Sequence, residues 1–255
     1  MEAGCLIGKR VVVTGGAAGI GRATAIALGK EGAGVAVVDL NLEGAQETAA
    51  RISESGVLAV ARRADVCSAA EVSECFSDCA VILGGIDILI NCAGGWKRYE
   101  KFEDIAEQSW DDMIALNLKS VYLCCHAAIP HMKHKGWGRI VNLGSLAGRS
   151  ASAGASPAHY GAAKAAVSVL TQYLAKELGV WGITANTVAP GTTLTESVQK
   201  IMSKEREEAL AKTCPLGRLA EPDEIAQVVV FLAGDAGRYV SGTTIDVNGG
   251  RMMFV

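Results

Sequence analysis

Concentrated charge is missing from this chain of 255 residues: 24 Lys and Arg stand against 27 Asp and Glu, for a formal net charge of -3. Without a long basic or acidic block, the whole-chain field offers no basis for holding nucleic acid or an anionic membrane surface, and a small neutral or weakly charged ligand fits better. Long apolar runs are missing too, none reaching the ~18 residues that crossing a bilayer requires. The first ten residues place an acid at Glu2 and only a short apolar patch before Lys9 and Arg10, which is not the layout of a secretory leader. A cytoplasmic location is expected. Cysteine is plentiful, at positions 5, 67, 75, 79, 92, 124, 125 and 214, but no C-x-x-C pair occurs, and the scatter through apolar segments reads as buried thiols. His131 and His134 lack a third ligand, so no metal is expected.

What the chain does have is alternation. Val- and Ile-rich runs at Arg10 to Thr14, Gly34 to Asp39, Val57 to Arg62, Ile86 to Asn91, Arg139 to Leu143, Ile183 to Ala189 and Thr243 to Val247 read as strands. Between them, Gly19 to Glu31, Leu42 to Ser55, Ala69 to Leu83, Trp110 to Lys135, His159 to Gly179 and Pro222 to Ala233 carry helical length and period. Near-continuous apolar strands such as Val35 to Val38 suit a sheet covered on both faces. The expectation is α/β: a Rossmann fold with a doubly wound, seven-stranded parallel sheet, in one domain over 1–255. No internal repeat or linker divides it. The charged stretch Glu196 to Lys212 interrupts the pattern and is read as a substrate lid at about 191–213.

After the first strand, Thr14-Gly-Gly-Ala-Ala-Gly-Ile-Gly21 leads straight into a helix. Glycines there let the backbone approach a pyrophosphate, which rests on the helix's first amides. Asp39 ends the second strand, roughly 20 residues on, where a carboxylate accepts from ribose hydroxyls and repels the 2'-phosphate of NADP. No Lys or Arg lies between Gly15 and Gly21, so the cofactor indicated is NAD. Tyr160 and Lys164, four apart on a helix, share one face. At ~5 Å and an effective dielectric of ~20, such a lysine favours the phenolate by roughly 3 kcal/mol, about two pKa units.

Together these motifs, in this order, resemble the short-chain dehydrogenase/reductase family from about Lys9 to Gly250. The resemblance adds Asp65-Val66, Asn91-Cys92-Ala93-Gly94, Asn117, Ser145, Pro190-Gly191-Thr192-Thr193-Leu194-Thr195, Ser241-Gly242 and Gly249-Gly250. It implies that Tyr160 exchanges the proton with the substrate oxygen, that Ser145 polarises that oxygen, that Lys164 lowers the tyrosine pKa and holds the nicotinamide ribose, and that Asn117 anchors a water in the proton path. Cofactor contacts are implied for Gly15, Gly19, Ile20, Gly21, Asp39, Leu40, Asp65, Val66, Asn91, Ala93, Gly94, Tyr160, Lys164, Pro190, Gly191, Thr193 and Thr195, with the two threonines at the carboxamide end. The four-residue tyrosine-to-lysine spacing implies carbonyl rather than enoyl chemistry, and pairing of the two long helices implies a homotetramer.

Ser145 and Tyr160 are fifteen positions apart, longer than the family's usual spacing, which places a short insertion within Ser150 to Pro157. Ser150, Ser152 and Ser156 are rival donors, whereas Ala147, at the strict spacing, cannot donate. Cys92 replaces a second asparagine and is read as packing. Pocket walls are expected from Gly95 to Tyr99, Leu146 to His159 and the lid, with Lys97 and Arg98 either solvated or facing an anionic group. Pro215-Leu-Gly-Arg218 and Glu221 to Ala226 resemble 3-oxoacyl carrier-protein reductases, although Trp181 replaces a basic docking residue and Asp39 disfavours NADPH. The expected activity is NAD-dependent interconversion of a secondary alcohol and a ketone. A 3-oxoacyl thioester reductase is the alternative, and an NAD sensor without turnover the remote one. The apolar tail Met252 to Val255 is read as a subunit contact or a frayed end.

Overall fold

The computed structural model describes residues 4–151 and 156–254. Its strands are β1 (Arg10–Thr14), β2 (Gly34–Asp39), β3 (Ala59–Arg63), β4 (Ile88–Asn91), β5 (Gly138–Leu143), β6 (Ile183–Pro190) and β7 (Thr244–Val247). All pairings are parallel, in the order β3-β2-β1-β4-β5-β6-β7. From β1 the chain winds outward to β3, returns to β4 beside β1, and winds the other way. A crevice therefore opens beyond the carboxyl ends of β1 and β4, where the crossovers diverge. Register sets Thr14 beside Asn91 and Asn91 beside Asn142, so three strands end level at that crevice.

The helices are α1 (Gly19–Lys30), α2 (Leu42–Ser53), α3 (Ala69–Leu83), α4 (Glu107–Ile114), α5 (Ser120–Lys135), α6 (Ala158–Leu178), α7 (Glu196–Ile201), α8 (Lys204–Ala211) and α9 (Pro222–Ala233). Because strand side chains alternate between faces, Val11, Val13, Val35, Val37, Ile88 and Ile90 pack with Leu28, Ile52 and Val229 under α1, α2 and α9. Their neighbours Val12, Ala36, Val38, Leu89 and Ile140 pack with Phe76, Val121, Met132 and Val167 under α3, α5 and α6. Each such aliphatic side chain, fully buried, stabilises the fold by about 1.5–3 kcal/mol, and both layers need that burial. The expected seven-stranded, doubly wound sheet is the one observed.

Several boundaries differ from the sequence reading. The helix expected from Trp110 begins at Glu107 and is interrupted by a π-helical turn, Ala115–Lys119, before α5. By length and composition the run Glu107–Lys135 could cross a membrane, but here it packs on α3, β4 and β5 as a cover for the sheet. The charged stretch divides into α7 and α8, each capped by a hydroxyl, Thr195 and Ser203.

β4 starts two residues later than expected, at Ile88, and just before it stands Asp87. Its fully buried carboxylate accepts from the Arg10 backbone N–H at 3.0 Å, from Arg10 Nε at 2.7 Å and from Lys135 Nζ at 2.7 Å. Burial pushes its pKa up, but the hydrogen bonds from Arg10 and Lys135 outweigh that and hold it below the usual carboxylate value. Since the native value is depressed, the stabilisation is present above the unfolded value near ~4 and is lost as pH falls through the native one. Asp87→Asn should cost about 2 kcal/mol, less than a fully buried pair because both cations are partly exposed. Urea melts at pH 7 and pH 3 check this: the deficit should be clear at pH 7 and shrink at pH 3.

Candidate active site

Beyond β1 the chain reverses through Gly15, whose φ of 68° is left-handed and whose amide bonds the Val38 carbonyl at 2.8 Å. A β-carbon at Gly21 would collide with the Gly15 carbonyl, so this close return requires glycine. Asp39 lies where β2 ends: Oδ2 accepts from the Ala17 N–H at 3.0 Å and Oδ1 from the Asn41 N–H at 2.9 Å. The carboxylate is thus fastened to the turn, with Leu40 exposed beside it. Asp65 Oδ1 accepts from the Cys67 N–H at 2.8 Å, and Val66 is buried. The first amide of α1, at Gly19, donates at 3.0 Å to Glu196 Oε2. A helix N-terminus that already holds a carboxylate has the charge preference that a pyrophosphate needs, so these residues fit a dinucleotide.

Under the crevice runs a buried polar chain. Asn91 Nδ2 donates to Asn142 Oδ1 at 2.8 Å, Asn142 Nδ2 to Thr171 Oγ1 at 2.9 Å, and Thr187 Oγ1 to Thr171 Oγ1 at 2.9 Å. Thr171 in turn donates to the Val167 carbonyl at 2.7 Å. The chain fastens α6 to β4, β5 and β6. The Asn91 side chain is committed to the sheet interior, so a cofactor contact at Asn91 would use its backbone. The Ala93 N–H is held by Thr14 Oγ1 at 3.3 Å.

From this floor α6 presents Tyr160 and Lys164. Lys164 is 3% exposed, and its ammonium donates to the Leu143 carbonyl at the end of β5 at 2.7 Å. Two residues on, Ser145 Oγ accepts from the Ala147 N–H at 3.1 Å, and the Ser145 hydroxyl acts to lower the Tyr160 pKa. Ala147 contributes only an amide, and Ser152 lies outside the described residues. Asn117, fully buried in the π-helical turn, accepts from the Gly95 N–H at 2.8 Å and donates to the Gly95 carbonyl at 3.0 Å. A β-carbon at Gly94, φ 145°, would stand 2.8 Å from Asn117 Oδ1 and 3.1 Å from Lys164 Nζ, so both groups converge on that one bare backbone position.

Electrostatics depart from the sequence expectation. Burial raises the Tyr160 pKa and the Ser145 hydrogen bond works against it, whereas Lys164 is not among the causes of the shift. Burial lowers Lys164 to about 8, and Cys92 opposes this. The Cys92 thiol is pushed up to about 12 by burial, which suits packing.

Pro190 and Gly191 close β6, with the Gly191 N–H on the Val247 carbonyl at 2.9 Å. The Thr193 hydroxyl donates back to the Gly191 carbonyl at 3.2 Å, and Thr195 caps α7. Arg98 is solvated and paired with Glu100 at 3.0 Å. Near the chain's end, the Arg149 guanidinium, paired with Asp246 at 3.0 Å, lies 4.5 Å from the Phe254 ring centroid; Val255 lies outside the described residues. Trp96, in the loop expected to wall the pocket, brings its ring centroid to 6.4 Å from that of Tyr160. One site feature escaped the sequence reading. Glu196 reaches back to α1, a contact that no local spacing announces.

A phenol with a hydrogen-bonding hydroxyl, beside a dinucleotide-shaped crevice, defines a nicotinamide-dependent oxidoreductase site. The family model described as enoyl-(acyl carrier protein) reductase matches residues 15–251. The chain is 40% identical to the D-threitol dehydrogenase of Mycolicibacterium smegmatis, over 96% of this chain and 93% of that protein. It is 39% identical to the cyclohexanol dehydrogenase of a Rhodococcus species, over 96% of each, and 39% identical to a Staphylococcus aureus 3-oxoacyl-[acyl-carrier-protein] reductase, over 96% and 98%. A crystal structure of a Sinorhizobium meliloti dehydrogenase/reductase superposes with a TM-score of 0.90 at 35% identity, covering 97% of this chain and 96% of that one. The chain belongs to the short-chain dehydrogenase/reductase family.

Ser145→Ala removes the hydrogen bond that lowers the Tyr160 pKa. Any turnover that needs the ionised phenol should then move to higher pH, and kcat/KM should fall by about 10²-fold at pH 7. A pH–rate profile of alcohol oxidation checks both, and an unshifted acid limb contradicts the assignment.

Proposed function

We propose that this protein is an NAD-dependent dehydrogenase of secondary alcohols, and reductase of the matching ketones, with Tyr160 as general acid/base. The observation that carries the reading is the convergence of Asn117 Oδ1 and the buried Lys164 Nζ on the bare Gly94 backbone, one helical turn from Tyr160. When bound, the nicotinamide would supply or accept the hydride. In oxidation the Tyr160 phenolate takes the hydroxyl proton of the alcohol; in reduction the phenol returns it to the carbonyl oxygen. Ser145 donates to that oxygen as charge develops on it. Lys164, whose ammonium Leu143 holds, would bond the nicotinamide ribose, and Asn117 would anchor the water that relays the proton outward. Gly15, Gly19, Ile20 and Gly21 would cradle the pyrophosphate, and Asp65 and Val66 would border the adenine. Ala93, Gly94, Pro190, Gly191, Thr193 and Thr195 would line the nicotinamide end.

NAD is preferred because Asp39 is fixed by the Ala17 amide, where its negative charge would face a 2'-phosphate. Asp39→Ser should narrow the preference for NADH over NADPH by at least about tenfold, or 1.4 kcal/mol; equal binding of the two by the unaltered protein sinks the proposal. In this reading residues 1–255 form one domain with a lid at about 191–213, and the protein works as a cytoplasmic homotetramer. Dehydrogenases of cyclohexanol and D-threitol among the relatives support alcohol chemistry, as does the four-residue spacing of Tyr160 and Lys164.

The similarity to a 3-oxoacyl-[acyl-carrier-protein] reductase favours one second reading, in which a 3-oxoacyl thioester is reduced by the same residues. The deciding experiment follows NADH formation from NAD with cyclic, open-chain and polyol secondary alcohols at mildly alkaline pH. Tyr160→Phe should abolish turnover while leaving NADH binding intact. Silence with every alcohol, together with turnover of a 3-oxoacyl thioester, selects the second reading; NADH binding without turnover of either class selects a sensor.

A further inference from the structure

The carboxylate of Glu196 sits where an incoming anion would. It belongs to the first turn of α7, yet its Oε2 accepts at 3.0 Å from the Gly19 N–H, 177 positions away in sequence. Its Oε1 lies 3.5 Å from Arg22 Nη1, also on α1. Contact extends beyond the ion pair: a β-carbon at Gly19 would stand 3.0 Å from Thr195 Cγ2. The start of α7 is therefore seated on the N-terminus of α1. The Glu196 side chain remains 51% exposed, so little packing holds it in place and another anion can exchange for it. The pKa of Glu196 is held below the usual carboxylate value by hydrogen bonds from its own backbone amide and from that of Gly19, which keeps it charged at neutral pH.

We propose that Glu196 is a built-in competitor for the α1 amides, which a dinucleotide's pyrophosphate must displace, so that cofactor entry releases α7 and cofactor departure lets it reseat. The proposal rests on the cofactor reading above and extends it to a residue given no role there. The physical reason is exclusion: two anions cannot share one amide and one partial positive dipole without strong repulsion. The competing carboxylate costs affinity because the free site must be vacated before the pyrophosphate can settle, which slows cofactor entry. Glu196 would then set cofactor affinity without touching the reacting atoms.

The test is direct binding. Glu196→Gln keeps the length but loses the charge, and Glu196→Ala loses both. In each, the NADH dissociation constant, read by fluorescence, should fall roughly five- to tenfold, with a matching rise in the apparent NADH association rate by stopped flow. ADP, titrated calorimetrically, should tighten by the same factor because it carries the pyrophosphate. Adenosine, which carries none, should bind unchanged. If Glu196 only stabilises the first turn of α7, both variants melt earlier and bind NADH equally or more weakly, which overturns the proposal. Equal tightening of adenosine and ADP overturns it as well, because the competition would not be for the phosphate site. If the unaltered protein and both variants bind neither NADH nor ADP, the cofactor reading itself falls and takes the proposal with it.

Discussion

A buried ammonium needs a fixed acceptor, and for Lys164 that acceptor is the Leu143 carbonyl at 2.7 Å. Desolvation alone favours the neutral amine, and burial brings Lys164 down to about 8. The bond offsets part of that penalty and fixes one turn of α6 against the end of β5. Everything catalytic then follows from helical and strand geometry. Tyr160 is one turn before Lys164 on the same face, and Ser145 is two residues beyond Leu143, so the pinned turn sets the two side by side. The polar chain Asn91–Asn142–Thr171–Thr187 fastens the next turns of α6, spreading the load over three strands.

The crevice has two halves with different physics. On the β1–β2 side the groups are backbone amides and one tethered carboxylate, Asp39, suited to recognising phosphates and ribose without chemistry. On the β4–β5 side they are titratable and partly desolvated, and the tyrosine pKa lies above its ordinary value. In the proposed reaction, a bound oxidised nicotinamide would bring positive charge to that side and favour ionisation of Tyr160.

Much of this was legible in the sequence, because parallel strands buried on both faces read as Val and Ile runs and because glycine turns and a Tyr-x-x-x-Lys helix have local signatures. The first two strands were placed to the residue. Three things were missed for physical reasons. The π-helical turn Ala115–Lys119 inserts within an otherwise helical period, and what stabilises Asn117 there is its pair of bonds to Gly95, far away in sequence. The pull of Lys164 on Tyr160 was overstated, since a Coulomb sum at fixed dielectric omits the desolvation that dominates both groups. The contact of Glu196 with α1 depends on where the crossover after β6 returns, which no pattern within α7 encodes.

The central claim, hydride exchange between a carbinol carbon and the nicotinamide with Tyr160 handling the proton, is tested most directly by isotope transfer. A secondary alcohol that the protein turns over, deuterated at the carbinol carbon, is incubated with the protein and NAD, and the reduced cofactor is analysed by mass spectrometry. The account predicts one deuterium in the NADH formed, the matching ketone in equal amount, and neither product with Tyr160→Phe. Unlabelled NADH, or labelled NADH formed equally well by Tyr160→Phe, would contradict it.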